Sequence, residues 1–451
     1  MSAILLSIAS LCADGQINML RYNDDFSLLK SDTIQKSSFD KIKYIRISGN
    51  SNISFGGELR EQYQYYQNRN FGDAPSKNTD LRSNQLMQRV MVHANIDLGK
   101  KFRLFAQVGT TFRFFNPNGP TPEIDENHLS LHQAFADYKL GANWLIRTGR
   151  QELAYGSHRL ITFREGPNTR LAFDAVTMKY KNERKKADFL VMSPVISKPG
   201  VFDDSTFKDL IFGGYITERL IDKRLLLDYY SMNFLSNRRS YNYISGRENR
   251  QSYGIRLFSQ NNRLNYEFEG TYQSGKFNDL RIRAYSLSAD INYKVDRTSN
   301  ATVGISGNYA SGDKDANDKR LNTYNPLFSK PQYGLAAPIG AANIININPY
   351  VSVSPGKRVN VSLGLYLMWR QSNSDGVYSP LGTETRPKLS ILTLSKEREI
   401  GKLWSLESNY NITRNLILAV DASYFSAGRF VHETGKGKDI TYLSVKASYK
   451  F

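Results

Sequence analysis

Thr441-Tyr-Leu-Ser-Val-Lys-Ala-Ser-Tyr-Lys-Phe451 is the C-terminal stretch of the chain, and its side chains alternate between two classes. Leu443 and Val445 lie on one face, whereas Lys446 and Lys450 lie on the other. A two-residue period with one apolar and one charged face is typical of a half-buried β-strand. Because the stretch ends on an aromatic residue, we interpret it as the last strand of a transmembrane β-barrel, whose outer face meets lipid and whose inner face meets water.

The composition of the 451-residue chain is compatible with such a barrel. Its mean hydropathy is −0.48, and after the N-terminus no segment approaches the ~18 to 20 apolar residues of a membrane helix. Only helices and closed barrels satisfy their backbone polar groups in lipid, so a membrane protein this polar must be a barrel. The 28 Tyr and 24 Phe fit the aromatic girdles of a barrel, but they would equally fit a soluble all-β protein.

Three regions are predicted along the chain. Residues 1–13 contain a short apolar segment from Ala3 to Leu11 and a small residue, Ala13, at a plausible cleavage point; we expect a secretory signal peptide there. Residues 14–50 are predicted to form a short periplasmic N-terminal segment, and residues 51–451 the transmembrane barrel. Cys12 is the single cysteine, so we expect a mature protein with no disulfide, no thiolate catalysis and no Cys-ligated metal.

The connections between the alternating runs have two lengths. Short turns are predicted at 98–101, 141–143, 261–263, 354–357 and 413–415, and long connections at 67–83, 116–128, 195–208, 234–250, 312–344, 373–399 and 429–438. This alternation predicts short periplasmic turns and long extracellular loops, and single-chain bacterial barrels have an even number of strands. The predicted fold is all-β: a single antiparallel up-and-down barrel of about 18 strands in the outer membrane of a Gram-negative bacterium.

The alternation also predicts which charges face the lumen, because a charge facing lipid at mid-depth costs about 2–4 kcal/mol. The predicted inward basic residues are Arg60, Arg89, Arg103, Arg113, Arg256, Arg370, Lys446 and Lys450. The predicted inward acidic residues are Glu58, Asp97, Glu267, Glu269, Asp290, Glu407 and Asp421. The lumen is therefore predicted to be mixed, with a slight basic excess.

Three stretches carry a family resemblance. They are Gly149-Arg150-Gln151-Glu152-Leu153, then Thr323-Tyr324-Asn325-Pro326-Leu327-Phe328, and finally Tyr424 to Phe430 followed by the terminal Phe451. Together they resemble the alginate-export family of Gram-negative outer-membrane porins, from about Ile53 to Phe451. The resemblance implies an 18-stranded monomer and a passive channel whose arginine-lined constriction passes an anionic polyuronate chain.

The expected function is facilitated diffusion of anionic sugars or alginate-like polyuronate chains. Guanidinium groups offer forked donors to carboxylates, and rings of basic side chains select anions. The predicted pore-lining residues are Arg60, Arg89, Arg103, Arg113, Arg147, Arg150, Arg159, Arg256, Arg370, Lys446 and Lys450. Each inward arginine has a structural alternative, since a charge in a barrel interior normally finds a partner. A general diffusion porin without polysaccharide specificity is the alternative function.

An enzyme is disfavoured by the histidines. None of the five lies in a His-Glu-x-x-His or beside a Gly-x-Ser-x-Gly sequence. We expect no enzymatic activity, no cofactor, no metal and no nucleic-acid partner. The expected partners are outer-membrane lipid and lipopolysaccharide, whose phosphates external basic residues such as Arg238 and Arg247 could neutralise, the anionic saccharide, and the barrel-assembly machinery, which would contact Phe451.

Overall fold

The structure is a computed structural model that describes residues 17–30, 40–73, 82–115, 125–205, 207–221, 224–241, 244–259, 263–296, 300–315, 317–334, 339–386 and 395–451. The predicted signal peptide, residues 1–13, lies outside the described residues. Eighteen long strands form one sheet in which each strand pairs antiparallel with the next. The first strand also pairs with the last, so the sheet closes into a barrel, as predicted.

The barrel strands are β1 (Ser51–Gln67), β2 (Arg82–Leu98), β3 (Phe102–Phe114), β4 (Asn127–Lys139), β5 (Trp144–Gln151), β6 (Phe173–Lys181), β7 (Lys185–Ile196), β8 (Asp209–Ile221), β9 (Leu225–Tyr241), β10 (Ile244–Ser259), β11 (Leu264–Phe277), β12 (Leu280–Lys294), β13 (Thr302–Ala310), β14 (Ile344–Val353), β15 (Val359–Arg370), β16 (Glu399–Asn411), β17 (Leu416–Ala427) and β18 (Ile440–Lys450). Short strands lie at Ile45–Ser48, Asp204–Ser205, Arg320–Leu321, Val377–Tyr378 and Glu384–Arg386. The helix α1 is Arg429–Glu433, and 3-10 turns lie at Arg21–Asn23, Ser27–Lys30, Asp40–Ile42 and Arg69–Gly72. Among the described residues, no helix has the length and apolar character needed to cross a membrane.

The two faces of the wall follow the predicted alternation. On β1, Glu58, Arg60 and Gln62 are buried inside the barrel, whereas Leu59 and Tyr63 are 40% and 39% exposed on the outside. The apolar outer face suits lipid, and the polar inner face suits a lumen.

The connections also follow the predicted asymmetry, except that the β9–β10 and β11–β12 connections at the long-loop end are short. β9 and β10 stay paired far beyond Phe234 and Arg250, up to Tyr241 and Ile244, so the long connection predicted at 234–250 is wrong. The polar residues there belong to strands that rise above the membrane, where backbone pairing continues although the side chains become hydrophilic. Conversely, residues 152–172 form a long connection between β5 and β6 that is absent from the predicted set.

Two connections fold into the lumen from the long-loop end. We call residues 152–172 inner loop A, and residues 322–334 with 339–343 inner loop B. Leu160 and Ile161 of loop A share one apolar cluster with Phe328 of loop B, and Tyr324 and Tyr333 of loop B belong to a second cluster. A barrel of this size encloses an aqueous channel unless something fills it, so these two loops set the width of the passage.

The described part of the N-terminal segment packs against the barrel at the end where the chain terminates. Arg21 donates hydrogen bonds to the carbonyl oxygens of Gly57 at 2.7 Å and Phe451 at 2.8 Å. The Tyr22 hydroxyl donates to the Glu152 carbonyl at 2.8 Å. This segment therefore contacts both the wall and the base of inner loop A.

Candidate functional site

Inner loop A is held against the wall by Arg60. This fully buried guanidinium donates to the carbonyl oxygens of Glu165 and Pro167, both at 3.0 Å, and to the Asn168 side-chain oxygen at 3.2 Å. The Asn168 amide in turn donates to the carbonyl oxygens of Gln88, Phe112 and Asp125 at 2.9–3.1 Å. Arg60 thus positions the loop backbone.

A buried ion-pair network surrounds that anchor. Arg89 lies between two carboxylates, with Nη2 2.6 Å from Glu58 and 2.5 Å from Glu165. Arg170 lies 2.9 Å from Glu152 and 3.2 Å from Glu165. Buried charges persist when they are paired and hydrogen-bonded, and these arginines are. Arg60 and Arg89 were both predicted to line the pore, and both hold inner loop A in place.

Three more predicted arginines are also neutralised within the wall. Asp137 pairs with Arg147 at 2.7 Å and with Arg103 at 3.1 Å. Arg147 also stacks on the Tyr22 ring, 4.1 Å from its centroid. Arg256 contacts Asp228 at 2.6 Å and Glu267 at 2.5 Å. These pairs brace neighbouring strands and leave little net charge for a solute.

Two predicted residues lie away from the passage. Arg370 is fully buried at the long-loop end, where it donates to backbone carbonyl oxygens of Asn373, Asp375, Ser395 and Glu397 and lies 3.8 Å from the Phe430 ring centroid. It therefore ties together the two described ends of the connection between β15 and β16.

Arg150 lies on the outer side of the wall. Arg150 pairs with Ala134 and Asp174 along the sheet, on the face that exposes Tyr138 and Val176. Its guanidinium contacts the Asp174 carboxylate at 2.8 Å. The preceding Gly149 has a positive φ, but the register of β5 runs through it without a shift, so Arg150 faces outward by alternation from the inward Arg147.

Arg159 is a predicted residue whose side-chain hydrogen bonds go to neutral groups. It projects from inner loop A, donates to the side-chain oxygen of Asn308 and, at 3.3 Å, to that of Gln332. Both partners are neutral amides, and the Glu269 carboxylate is 4.0 Å away. The side chain is 20% exposed, whereas its Nε atom is buried. Arg159 therefore keeps a partly exposed guanidinium at the constriction, bonded there to two neutral amides.

The two inner loops are joined to each other by backbone hydrogen bonds. The Thr162 N–H donates to the Phe328 carbonyl at 3.1 Å, and the Phe328 N–H donates to the Leu160 carbonyl at 2.9 Å. The Lys330 N–H donates to the His158 carbonyl at 3.1 Å. This pairing places Lys330 of loop B close to Arg159 of loop A, so both loops contribute a cation to the constriction.

The opposite side of the constriction is acidic. The charge of Lys330 interacts with Glu267, Asp290 and Glu407 of the wall, and Glu407 pairs across the sheet with Asp421. Lys446, which faces inward as predicted, lies close to Asp421. Arg113 and Lys450, also predicted, are half-buried on β3 and β18. The constriction therefore brings cations of the loops close to carboxylates of the wall.

A second acidic pair lies at the long-loop end. The backbone N–H of Asp313 donates to the Asp375 carboxylate at 2.7 Å, and the Thr323 and Tyr378 hydroxyls donate to the same carboxylate at 2.6 and 2.8 Å. Burial raises the pKa of Asp313 to about 6; hydrogen bonds from Asn322 oppose the shift, and the charge of Asp375 adds to it. Burial likewise raises the pKa of Asp375.

This pair predicts a pH dependence. Because the folded-state pKa of Asp313 is raised above the ordinary value of 3.8, the folded protein takes up a proton more readily than the unfolded chain, and the associated stability is lost as the pH rises from about 4 to about 6. We expect thermal stability to be greater at pH 5 than at pH 7, and the difference to shrink in Asp313→Asn. An unchanged difference in that variant would contradict this origin.

Sequence reasoning missed the residues of inner loop A that meet the wall, notably Glu165 and Asn168. One feature of the sequence could have revealed this loop. The alternation stops after β5, and about twenty residues follow without a strand pattern. Long structureless connections inside a compact domain are commonly functional. Among the described residues, no group of three or more His, Cys, Asp or Glu is arranged to hold a metal ion.

The closed 18-stranded barrel with lipid-facing apolar residues and a constricted polar lumen defines an outer-membrane channel of a Gram-negative bacterium. The sequence matches the alginate-export family over residues 51–445, and the chain belongs to that family. Among curated proteins, no sequence matches this chain.

Solved outer-membrane channel structures share the fold. OpdK of Pseudomonas aeruginosa, crystallised with vanillate, has a TM-score of 0.61 and 9% identity over 88% of this chain and 98% of that chain. A BenF-like porin from Pseudomonas fluorescens has a TM-score of 0.60 and 11% identity over 88% and 98%. OccAB1 of Acinetobacter baumannii has a TM-score of 0.59 and 10% identity over 88% and 96%.

Proposed function

We propose that this channel carries anionic sugars or alginate-like polyuronate chains by facilitated diffusion, prefers anions, and performs no enzymatic reaction. The observation that carries the proposal is the position of Arg159, which projects into the constriction and hydrogen-bonds to the neutral amides of Asn308 and Gln332. A solute carboxylate can exchange with these weak partners. Family and fold establish an outer-membrane channel, and a preference for anionic solutes is the added property.

The paired arginines support the proposal indirectly. Arg60 and Arg89 hold inner loop A rigidly against the wall, so that the Arg159 guanidinium keeps its position while solutes pass. Guanidinium is suited to forked recognition of carboxylates. Conduction also requires binding weak enough for release, and the carboxylates of Glu267 and Glu407 across the passage limit how tightly an anion can be held.

Arg159→Gln is expected to weaken block of the channel by uronate oligomers about tenfold. A hydrogen bond to a charged group contributes about 1.5–3 kcal/mol, and about 1.4 kcal/mol is a factor of ten in affinity. In planar bilayers with a salt gradient, the reversal potential of the variant should shift toward cation selectivity. Block by neutral oligomers of equal length should not change.

Two variants serve as controls. Arg159→Lys retains the charge but cannot form the bidentate hydrogen bonds of a guanidinium group. It should therefore keep most of the anion preference and lose part of the block by uronate oligomers. Arg184→Gln removes an exposed cation in a short turn and should behave as the wild type. A cation-selective wild-type channel would contradict the proposal.

A general diffusion porin is the second candidate. It is favoured by the acidic wall formed by Glu267, Asp290, Glu407 and Asp421, and by the internal pairing of Arg103, Arg147 and Arg256. In that case neutral and uronate oligomers of equal length would block the wild-type channel equally. The same bilayer measurement therefore separates the two functions.

A further inference from the structure

The outer face of the wall carries a cluster of four cations near its extracellular end. Lys276 and Arg281 share one row of the sheet with Asn249, and Arg283 lies in the next row with Gln251. Arg320 lies beside Arg281 through a short parallel pairing. All four cations are exposed, and no salt bridge among the described residues involves them. We call these residues the outer cation cluster.

An apolar groove lies directly below this cluster on the same face. Tyr253, Tyr272 and Tyr285 form the next row of the sheet toward the membrane, and Ile255, Gly270 and Leu287 form the row after that. The groove has a volume of about 740 Å³. Its walls are Phe189, Tyr229, Tyr253, Tyr272 and Leu287, and its floor is formed by Gly214, Ser231 and Gly270.

The spacing of these rows places the cluster at the level of lipid headgroups. Successive rows on one face are two residues apart, or about 7 Å. Tyrosines on the outside of a barrel mark the membrane interface. Measured along the strands, Arg283 therefore lies about 7 Å, and Lys276 and Arg281 about 14 Å, from the tyrosine row, and the height above the interface is smaller because barrel strands are tilted. Over Ile244–Ser259, Leu264–Phe277 and Leu280–Lys294, no carboxylate lies on the outer face. Two nearby carboxylates lie beyond these strands: Asp279, which is exposed in the β11–β12 turn, and Asp318, which accepts a hydrogen bond from the Arg320 backbone N–H at 2.9 Å. The four cations outnumber them.

We propose that the outer cation cluster and the groove form a binding site for a phosphorylated, multiply acylated glycolipid of the outer leaflet. The guanidinium groups and the lysine would contact the phosphates, and an acyl chain would occupy the groove. The cation cluster is complementary to an anionic headgroup, and the groove below it is complementary to an apolar chain. Together they fit an amphiphile with an anionic head.

Two other occupants fit less well. A soluble anionic polysaccharide would contact the cations but leave the tyrosine-walled groove empty. A second copy of the chain in a two-fold dimer would bring identical patches together, and like charges facing each other across an interface are unfavourable. The lipid fills both parts of the site.

The first test is Lys276→Ala/Arg281→Ala/Arg283→Ala/Arg320→Ala in the purified full-length channel, with lipid A added and binding measured by native mass spectrometry. Binding should fall about tenfold, because charge-assisted contacts to phosphate are lost. The matched control Lys100→Ala/Lys101→Ala/Lys357→Ala/Arg358→Ala removes four exposed cations in short turns at the opposite end and should bind as the wild type. Equal binding by the first variant and the wild type would overturn the proposal.

The second test addresses the groove. A side chain at Gly270 would meet Leu287 at 3.5 Å, which is an ordinary contact, so Gly270→Leu should fill the groove without disturbing the wall. It should weaken binding of lipid A but not of its deacylated phosphosaccharide. If the deacylated compound or a polyuronate binds the wild type as tightly as lipid A, or if the site is covered in a stable dimer, the lipid assignment is wrong.

Discussion

Arg89→Met is expected to lower the free energy of unfolding by about 3–5 kcal/mol, the cost of removing one partner from a buried ion pair. Arg89 is fully buried, and its Nη2 atom contacts both Glu58 and Glu165. Methionine approximates the aliphatic part of the side chain but leaves Glu58 without its ion-pair partner, whereas Glu165 keeps Arg170. Because Glu165 belongs to inner loop A, the same change should loosen that loop from the wall.

The stability of this variant can be measured by thermal unfolding in detergent, with the electrophoretic shift between folded and unfolded barrel as the readout. The double variant Arg89→Met/Glu58→Gln removes both charges of the Arg89–Glu58 pair and leaves Glu165 with Arg170. It should recover much of the lost stability, because replacing both partners of a buried pair costs far less than removing one of them. If Arg89→Met unfolds at the wild-type temperature, the network does not stabilise the barrel.

Phe328→Ala is expected to cost about 3–5 kcal/mol, as for other buried aromatic truncations, and to widen the channel. Phe328 packs edge-on against Phe173 and Phe234 of the wall, and its backbone pairs with Leu160 and Thr162 of inner loop A. Truncation removes the apolar contacts that hold both inner loops in the lumen. An 18-stranded barrel without such loops encloses a wide aqueous channel.

Single-channel recording is the direct measurement for this variant. We expect a conductance increase of about twofold or more, accompanied by greater current noise as the loops move. Phe328→Leu, which retains much of the apolar volume, should lie between the variant and the wild type. Phe189→Ala removes an aromatic ring from the outer face and should leave the conductance unchanged; a wild-type conductance in Phe328→Ala would show that the loops do not depend on this contact.

The alternation of Leu59 and Tyr63 with Glu58, Arg60 and Gln62 determines the facing of β1. This pattern is readable from sequence because the two faces of a barrel strand meet different solvents, and a charge on the lipid side is costly. The same reasoning extends to the strand count, the closure of the sheet and the asymmetry of the connections. It fails where no lipid constrains the side chains, as at Phe234 to Arg250, where the hairpin rises out of the membrane.

The ionic partners could not be predicted in this way. Alternation placed Arg60, Arg89 and Arg256 in the lumen, but gave no information on what lies opposite them. Glu165 reaches Arg89 from 76 residues away in the sequence, on a connection without periodicity. Arg370 and Arg150 were also misplaced. Arg370 holds a loop, and Arg150 lies on the outer face, three residues after the inward Arg147 in an unbroken register.

The sequence by itself determined that this protein is an outer-membrane barrel of about 18 strands, because membrane and water select side chains residue by residue along each strand. Only the tertiary structure decided which lumen charges are used for stability and which remain for transport. Inner loops A and B fold back across the lumen and pair with distant residues, and such long-range contacts leave no local pattern. They convert Arg89 into a structural residue and leave Arg159 exposed to the passage.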